Sequence, residues 1–110
     1  MGARPTPAAK EVVPLGYAWV QSHRPTMDLR RIRHFVVLAE TLNFRRAAEK
    51  LHMAQPPLTV SIQKLEAELQ TKLFDRGVNG VSLTPTGRTL LVEARKLLFH
   101  GSQLGAIARS

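Results

Sequence analysis

Residues 43–66 of this chain, NFRRAAEKLHMAQPPLTVSIQKLE, decide how the sequence folds. Each half of the stretch carries apolar residues at three- and four-residue steps, which is typical of an amphipathic helix. Pro56 and Pro57 fall in the first turn of the second helix, where backbone amides have no intrahelical partner and proline is tolerated. Because only residues 52–54 separate the two helices, the stretch predicts a helix-turn-helix.

The regions on either side of this stretch complete a winged fold. Before it, apolar residues at the same spacing predict a helix over residues 29–42, with Asp28 as its N-cap. After it, two β-prone pieces flank residues 77–80, whose Asn-Gly pair is a strong hairpin-turn signal. Thr84 and Pro85 then begin a long fourth helix. The sequence therefore predicts a mainly α fold, a winged helix-turn-helix of three helices and a β-hairpin wing, followed by a long linker helix.

The chain divides into three parts. Residues 1–26 contain four prolines and no sustained apolar period, which is typical of a disordered or loosely attached extension. Residues 27–84 carry the predicted winged helix-turn-helix, and residues 85–110 carry the linker helix. The 16 Lys and Arg residues outnumber the 8 Asp and Glu residues, for a formal net charge of +8. This excess of positive charge suits a polyanionic partner, either nucleic acid or an anionic membrane surface.

The composition disfavours several other classes of protein. With no cysteine, the chain has no disulfide, no thiolate nucleophile and no cysteine zinc site. Its four histidines lack the spacing of metal ligands, and its serines lack a nucleophile-elbow or triad signature. No stretch has the pattern of a membrane span or of a signal peptide. We therefore expect a cytoplasmic protein that is not an enzyme and uses no metal or other cofactor.

The outward face of the predicted third helix carries residues suited to reading DNA. Helical geometry turns Pro56, Thr59, Val60 and Gln63 away from the apolar stripe, and Gln55 stands beside Pro56 at the helix start. The N-terminal residues of a recognition helix meet base edges in the major groove, where Gln can pair with adenine and Thr can offer a hydroxyl group. Cationic residues nearby are candidates for contacts with DNA phosphates: Arg45, Arg46, Lys50, Lys64 and Arg76.

The same residues also admit plainer interpretations. Gln, Thr and Arg side chains are common on an ordinary solvated helix surface, and some winged helices bind proteins instead of DNA. The main alternative is therefore a winged-helix module that acts through protein contacts, with its fourth helix as the partner surface.

The order of these motifs resembles that of LysR-type transcriptional regulators over residues 27–100. The segment MDLRRIRHFVVLAE is similar to their first helix, residues 43–66 to their helix-turn-helix, and the pieces LFDR and LTPTG to the strands that bracket their wing. The resemblance implies a prokaryotic transcription factor that binds double-stranded DNA of the nucleoid. It implies that Gln55, Pro56, Pro57 and Thr59 read the major groove, with the wing near the minor groove.

The resemblance also implies a partner for the fourth helix. In this family that helix pairs with its counterpart in a second chain, which gives a homodimer or a heterodimer with a full-length relative. Apolar residues at three- and four-residue spacing would supply an antiparallel seam: Leu90, Leu91, Ala94, Leu97, Leu98 and Leu104.

Several features depart from the family pattern. Relatives usually carry Ser or Thr at the position of Ala54, and many carry Arg and Gln at those of Val60 and Ser61. We therefore expect a missing N-cap on the third helix and a weaker contact with the bases. The wing tip, GVNG, lacks a basic residue. LysR-type regulators also continue into an effector-binding domain, which we expect to be absent from this chain, together with any small-molecule effector; an inactive truncated fragment is a further alternative.

Overall fold

The structure, a computed structural model, describes residues 28–110. The extension predicted over residues 1–26 lies outside this range. Within it, helices and strands follow the predicted order, and the prediction of a mainly α winged helix-turn-helix is confirmed. The elements are α1 (Leu29–Thr41), α2 (Phe44–Lys50), α3 (Gln55–Leu69), β1 (Phe74–Gly77), β2 (Gly80–Leu83) and α4 (Pro85–Arg109).

Local capping residues fix where three of the helices begin. Asp28, Asn43 and Thr84 each accept a hydrogen bond from a backbone amide of the following first turn, at 2.8, 2.9 and 2.9 Å. By contrast, α3 begins after Ala54 and has no side-chain cap, as the sequence predicted. Since such a cap typically stabilises a helix by ~1 kcal/mol, the start of α3 is the least firmly capped of the four.

The core forms around α1, which packs against each of the other helices. Ala47 and Ala48 of α2 are buried, and their small side chains let the helices approach closely. The largest fully buried side chains come from α1, α3 and the segment that leads into β1. They are Ile32, Phe35, Leu38, Leu58, Ile62, Leu65 and Leu73.

The wing is an antiparallel hairpin in which Phe74 pairs with Leu83 and Gly77 pairs with Gly80. The two-residue turn is therefore Val78 and Asn79, and the predicted hairpin turn over residues 77–80 is confirmed. Gly80 has a φ of 106°, while neither residue of the turn has a positive φ. The primed hairpin turn that Asn-Gly favours requires positive φ at both central residues, so the turn here is of another kind.

The first half of α4 belongs to the domain, and the second half extends beyond it. Ala94 is buried, and Leu90, Leu91 and Leu98 pack partly against the core. Further along, Leu104 and Ile107 are each 69% exposed. The end of the helix is therefore an apolar surface that the described chain itself does not cover.

Candidate nucleic-acid interface

One flank of α3 is tied to α1 by two polar contacts. His34 Nδ1 lies 2.7 Å from Ser61 Oγ, and Arg31 Nη1 donates to Glu68 Oε2 over 2.8 Å. Ser61 is only 8% exposed. Many LysR-type relatives were expected to carry Gln at the position of Ser61. The presence of Ser here therefore affects the packing between α1 and α3 and not the solvent-facing side of α3.

The imidazole of His34 sits in an environment that favours its neutral form. Partial burial lowers the pKa of His34, and the positive charge of Arg33 lowers it further. The carboxylate of Asp28 acts in the opposite direction but does not reverse the shift. The contact between His34 and Ser61 is thus made by an uncharged ring over a wider pH range than an ordinary histidine allows.

The other flank of α3 holds the wing through Glu66. Glu66 Oε2 accepts hydrogen bonds from the backbone amides of Leu73 at 2.8 Å and Phe74 at 3.2 Å. The Nζ atom of Lys72 lies 4.0 Å from the other carboxylate oxygen. Because Leu73 and Phe74 lead into β1, this carboxylate fixes the root of the wing against α3.

A close backbone approach also fixes the wing against α4. Thr84 Oγ1 donates to the carbonyl of Lys72 over 2.8 Å. A Cβ atom added to Gly87 would collide with the carbonyl oxygen of Leu73 and crowd the side chain of Leu83. Only a residue without a side chain fits at this point, where the first turn of α4 crosses the base of the hairpin.

Between these two flanks, α3 presents the candidate base-reading residues to solvent. Five of them are exposed and Thr59 is half-buried. Gln55, Pro56, Thr59 and Val60 line one open depression at the start of the helix. Gln63 instead borders a hollow between α3 and the wing, and Pro57 is exposed at the helix start without lining either hollow.

The candidate phosphate-binding cations lie on α2, α3 and β1. All five are exposed: Arg45, Arg46, Lys50, Lys64 and Arg76. Within residues 28–110 none of them takes part in a salt bridge, whereas the salt bridges of this range use Arg30, Arg31, Lys72, Arg95 and Lys96. Their charges are therefore not neutralised by neighbouring carboxylates.

Arg76 makes a contact that the sequence did not reveal. Its guanidinium carbon lies 4.2 Å from the centre of the Phe44 ring, a cation–π arrangement. Since Arg76 belongs to β1 and Phe44 begins α2, the contact joins the wing to the helix-turn-helix. The two residues are 32 positions apart, so no local sequence pattern could have paired them.

The candidate dimer residues divide into two groups. Ala94 is 3% exposed in the single chain, and Leu90, Leu91 and Leu98 also pack on their own domain. Leu97 and Leu104 remain exposed. Three further exposed apolar residues of α4 were not among the candidates: Val92, Phe99 and Ile107. Val92 and Phe99 are seven residues apart, as are Leu97 and Leu104. This spacing could have identified Val92 and Phe99 as candidates from the sequence.

Neither a metal centre nor a membrane segment is found in the part of the chain that the structure describes. Within residues 28–110, no group of three or more His, Cys, Asp or Glu side chains is arranged to hold a metal ion. No helix of this range combines the length and the apolar character needed to cross a bilayer.

The short α2, its four-residue link to α3, the exposed start of α3 and the attached wing together define a winged helix-turn-helix of the nucleic-acid-binding class. Comparison with known proteins makes the assignment specific. Residues 29–88 match the family described as bacterial regulatory helix-turn-helix protein, lysR family. The chain belongs to the LysR family.

Individual relatives agree with this assignment. The chain is 55% identical over 71 residues to the SDS degradation transcriptional activation protein of Pseudomonas sp. (strain ATCC 19151), covering 64% of this chain and 23% of that protein. It is 46% identical over 72 residues to the HTH-type transcriptional regulator TfdT of Cupriavidus pinatubonensis (strain JMP 134 / LMG 1197), covering 66% of this chain and 32% of the regulator. The chain thus spans between 23% and 32% of the length of such relatives.

Solved structures place the match on one domain of these regulators. The DNA-binding domain of BenM, in its complex with benA site 1 DNA, superposes with a TM-score of 0.72 at 42% identity. The superposition covers 76% of this chain and 96% of that one. The described fold is therefore that of a LysR-type DNA-binding domain, and the relatives are regulators of transcription.

Proposed function

We propose that this chain is a sequence-specific regulator that reads double-stranded DNA with the first two turns of α3. The observation that carries the proposal is the open surface shared by Gln55, Pro56, Thr59 and Val60. The elements on both flanks of this surface are held in place by hydrogen bonds. No other part of the described chain covers the surface, which faces solvent. A recognition helix presents its N-terminal residues to base edges in this way.

The polar residues of this surface supply hydrogen-bonding groups for base edges. In the proposal, the Gln55 carboxamide pairs with an adenine in the major groove, since it offers one donor and one acceptor in the required geometry. The Thr59 hydroxyl bonds a neighbouring base edge. Gln63, one turn further on, faces the hollow towards the wing and reaches the outer part of the site, while Pro57 packs against DNA at the helix start.

Affinity that does not depend on sequence comes from the surrounding cations. Arg45, Arg46, Lys50, Lys64 and Arg76 have no salt bridge within residues 28–110, which leaves their charges available to phosphates. The start of α3 adds unpaired backbone amides and the positive end of the helix dipole, and Ala54 supplies no side chain to occupy those amides.

The exposed apolar surface of α4 supports a second part of the proposal. Leu97 and Leu104 lie seven residues apart on one side of the helix and are not covered by their own domain. We propose that they pair with the same helix of a second chain, either an identical one or a longer relative. Two α3 helices on one dimer would then read two half-sites of the DNA.

A binding experiment tests base reading. Duplexes preferred by the protein are selected from a random pool, and dissociation constants are measured by fluorescence anisotropy for a selected duplex and for its scrambled counterpart. Replacing Gln55 by Ala should weaken binding to the selected duplex by about 5- to 150-fold, the range for one good bidentate contact. Binding to the scrambled duplex should be unchanged, and the matched variant Gln103→Ala, on the exposed surface of α4, should behave like the parent.

A salt titration tests the phosphate contacts. Replacing Arg46 by Gln should weaken binding to both duplexes and reduce the slope of log K against log salt by about one. Lys96→Gln, whose lysine is paired with Glu93 on α4, is the control and should leave the slope unchanged. Failure to select any preferred duplex, together with a flat salt dependence, would reject DNA binding in favour of a module that acts through protein contacts.

A further inference from the structure

The centre of the outward face of α3 is apolar. Leu58, Ile62 and Leu65 point into the core, and the positions on the opposite side of the helix begin with Pro56 and Val60. These two residues are four positions apart, so their side chains lie one above the other along the helix. The side chain of Val60 is 48% exposed. The part of α3 that points most directly outward is therefore a strip of hydrocarbon with polar residues beside it.

The shape of this strip is well defined. Valine is branched at Cβ and has one strongly preferred rotamer in a helix, so its two methyl groups are held in place. Pro56 is a rigid ring at the first turn, and α3 itself is fixed by the contact of Ser61 with His34 and by the hydrogen bonds of Glu66. Neither Val60 nor the proline ring has a polar group with which to pair a base edge. An apolar surface of fixed shape is complementary only to an apolar partner.

The major groove offers one such partner. Purines and cytosine present hydrogen-bonding atoms there, whereas thymine also presents its 5-methyl group. A base whose polar edge lay against Val60 would lose its contacts with water and gain none from the protein. A thymine methyl group in the same place would bury apolar surface without such a loss.

We propose that Val60, supported by Pro56, reads the 5-methyl group of a thymine in each half-site of the DNA. The inference rests on the proposed function and adds to it the chemical group that the centre of α3 recognises. It assigns specificity to a side chain with no hydrogen-bonding group.

Deoxyuridine provides the test, because uracil differs from thymine only by the absence of this methyl group. Each thymine of the selected duplex is replaced in turn by uracil, and dissociation constants are measured at one salt concentration. For one thymine in each half-site, the loss of the methyl group should weaken binding about fourfold, the effect of one buried methyl-sized group. Uracil at the other positions should have a smaller effect.

Two variants assign the effect to Val60. In Val60→Ala the fourfold difference between thymine and uracil should fall to less than twofold, because the methyl group has lost its partner. In the control Gln103→Ala, on the exposed surface of α4, the full difference should persist. Val60 is on the surface, so Val60→Ala should keep the helical circular dichroism of the parent, which shows that the change in specificity is not a loss of fold.

Three results would overturn the inference. One is a selected duplex in which no thymine is sensitive to uracil. Another is an undiminished thymine preference in Val60→Ala. Both leave the proposed function intact, since a preferred duplex was found. The third is a selection that yields no preferred duplex at all, which rejects the proposed function and the methyl contact with it.

Discussion

At the level of single residues, His34 connects α1 to α3. Its Nδ1 atom lies 2.7 Å from Ser61 Oγ, so the ring on α1 contacts the buried side of α3 directly. The charged groups around it are mostly positive: Arg30, Arg31 and Arg33 disfavour the protonated ring, and Asp28 favours it. Protonation of His34 is therefore disfavoured at the contact between α1 and α3.

This environment makes stability depend on pH. The pKa of His34 is lowered in the folded protein from its ordinary value of 6.5, so below that value the unfolded chain binds a proton more readily than the folded one. The contribution of His34 to the free energy of unfolding is therefore most favourable above pH 6.5. It decreases as the pH falls from there towards the lowered pKa of the folded state. Urea unfolding at about pH 8 and about pH 5.5 should show the loss.

Replacing His34 by Gln should flatten this dependence while keeping a polar partner for Ser61. The comparison variant is His100→Gln, an exposed position on α4, which should retain the pH dependence of the parent. An undiminished pH dependence in His34→Gln would show that another group is responsible.

At the level of the elements, the start of α3 is a site where stability can be gained. Ala54 already has the extended backbone of an N-cap, with φ −77° and ψ 157°, but no side-chain oxygen. Ala54→Ser should therefore raise the free energy of unfolding by ~1 kcal/mol, measured by urea denaturation. In the control Ala67→Ser, at an exposed position inside the same helix, serine should instead lower it by about 0.5 kcal/mol because of its weaker helix propensity. Equal effects at both positions would show that capping is not the cause.

The start of α4 has the opposite character. A methyl group at Gly87 has no room against the carbonyl of Leu73 and the side chain of Leu83. Gly87→Ala should lower the free energy of unfolding by about 1–3 kcal/mol, the usual cost of overpacking. Gly101→Ala, in the same helix but with open space around it, should raise stability by up to about 1 kcal/mol because alanine favours the helix. A gain in stability from Gly87→Ala would contradict the close packing described above.

How much of this fold the sequence predicts depends on the range of the interaction that fixes each element. The starts of α1 and α4 were predicted because Asp28 and Thr84 cap amides two and three residues away. The outward face of α3 was predicted from helical spacing alone. In contrast, the contact between His34 and Ser61 joins residues 27 apart, and that between Arg31 and Glu68 joins residues 37 apart.

The wing shows both kinds of interaction. The Asn-Gly pair predicted a hairpin turn over residues 77–80, and the strand register has Val78 and Asn79 at the centre of that turn. At the other end of the hairpin, Glu66 accepts hydrogen bonds from the amides of Leu73 and Phe74, which the sequence did not predict. A pattern within the turn carries no information about an acceptor on α3.

At the level of the whole molecule, one side of α4 packs against the core of the domain and another side is exposed to solvent. The side that carries Ala94 and Leu98 completes the core, while Leu97 and Leu104 face outward. A dimer seam tested at Leu98 would therefore disturb the domain itself. A test confined to the exposed leucines separates association from folding.

The double variant with Leu97 and Leu104 both replaced by Lys should be monomeric, because four charges would meet in an apolar seam at each dimer contact. Sedimentation equilibrium measures the mass. The matched control replaces Val92 and Phe99, exposed on another side of α4, by Lys and should remain dimeric. Dissociation of the control with an intact dimer in the leucine variant would move the seam to the side of Val92 and Phe99.

In the proposed function, the carboxylate of Glu66 has a consequence for the rate of DNA binding. Since the base of the hairpin is already hydrogen-bonded to α3, the proposed recognition helix, neither the wing nor α3 would have to be ordered when a duplex binds. Little conformational entropy is then lost on association, and a preorganised surface of this kind favours capture at a rate set by diffusional encounter and long-range attraction between charges.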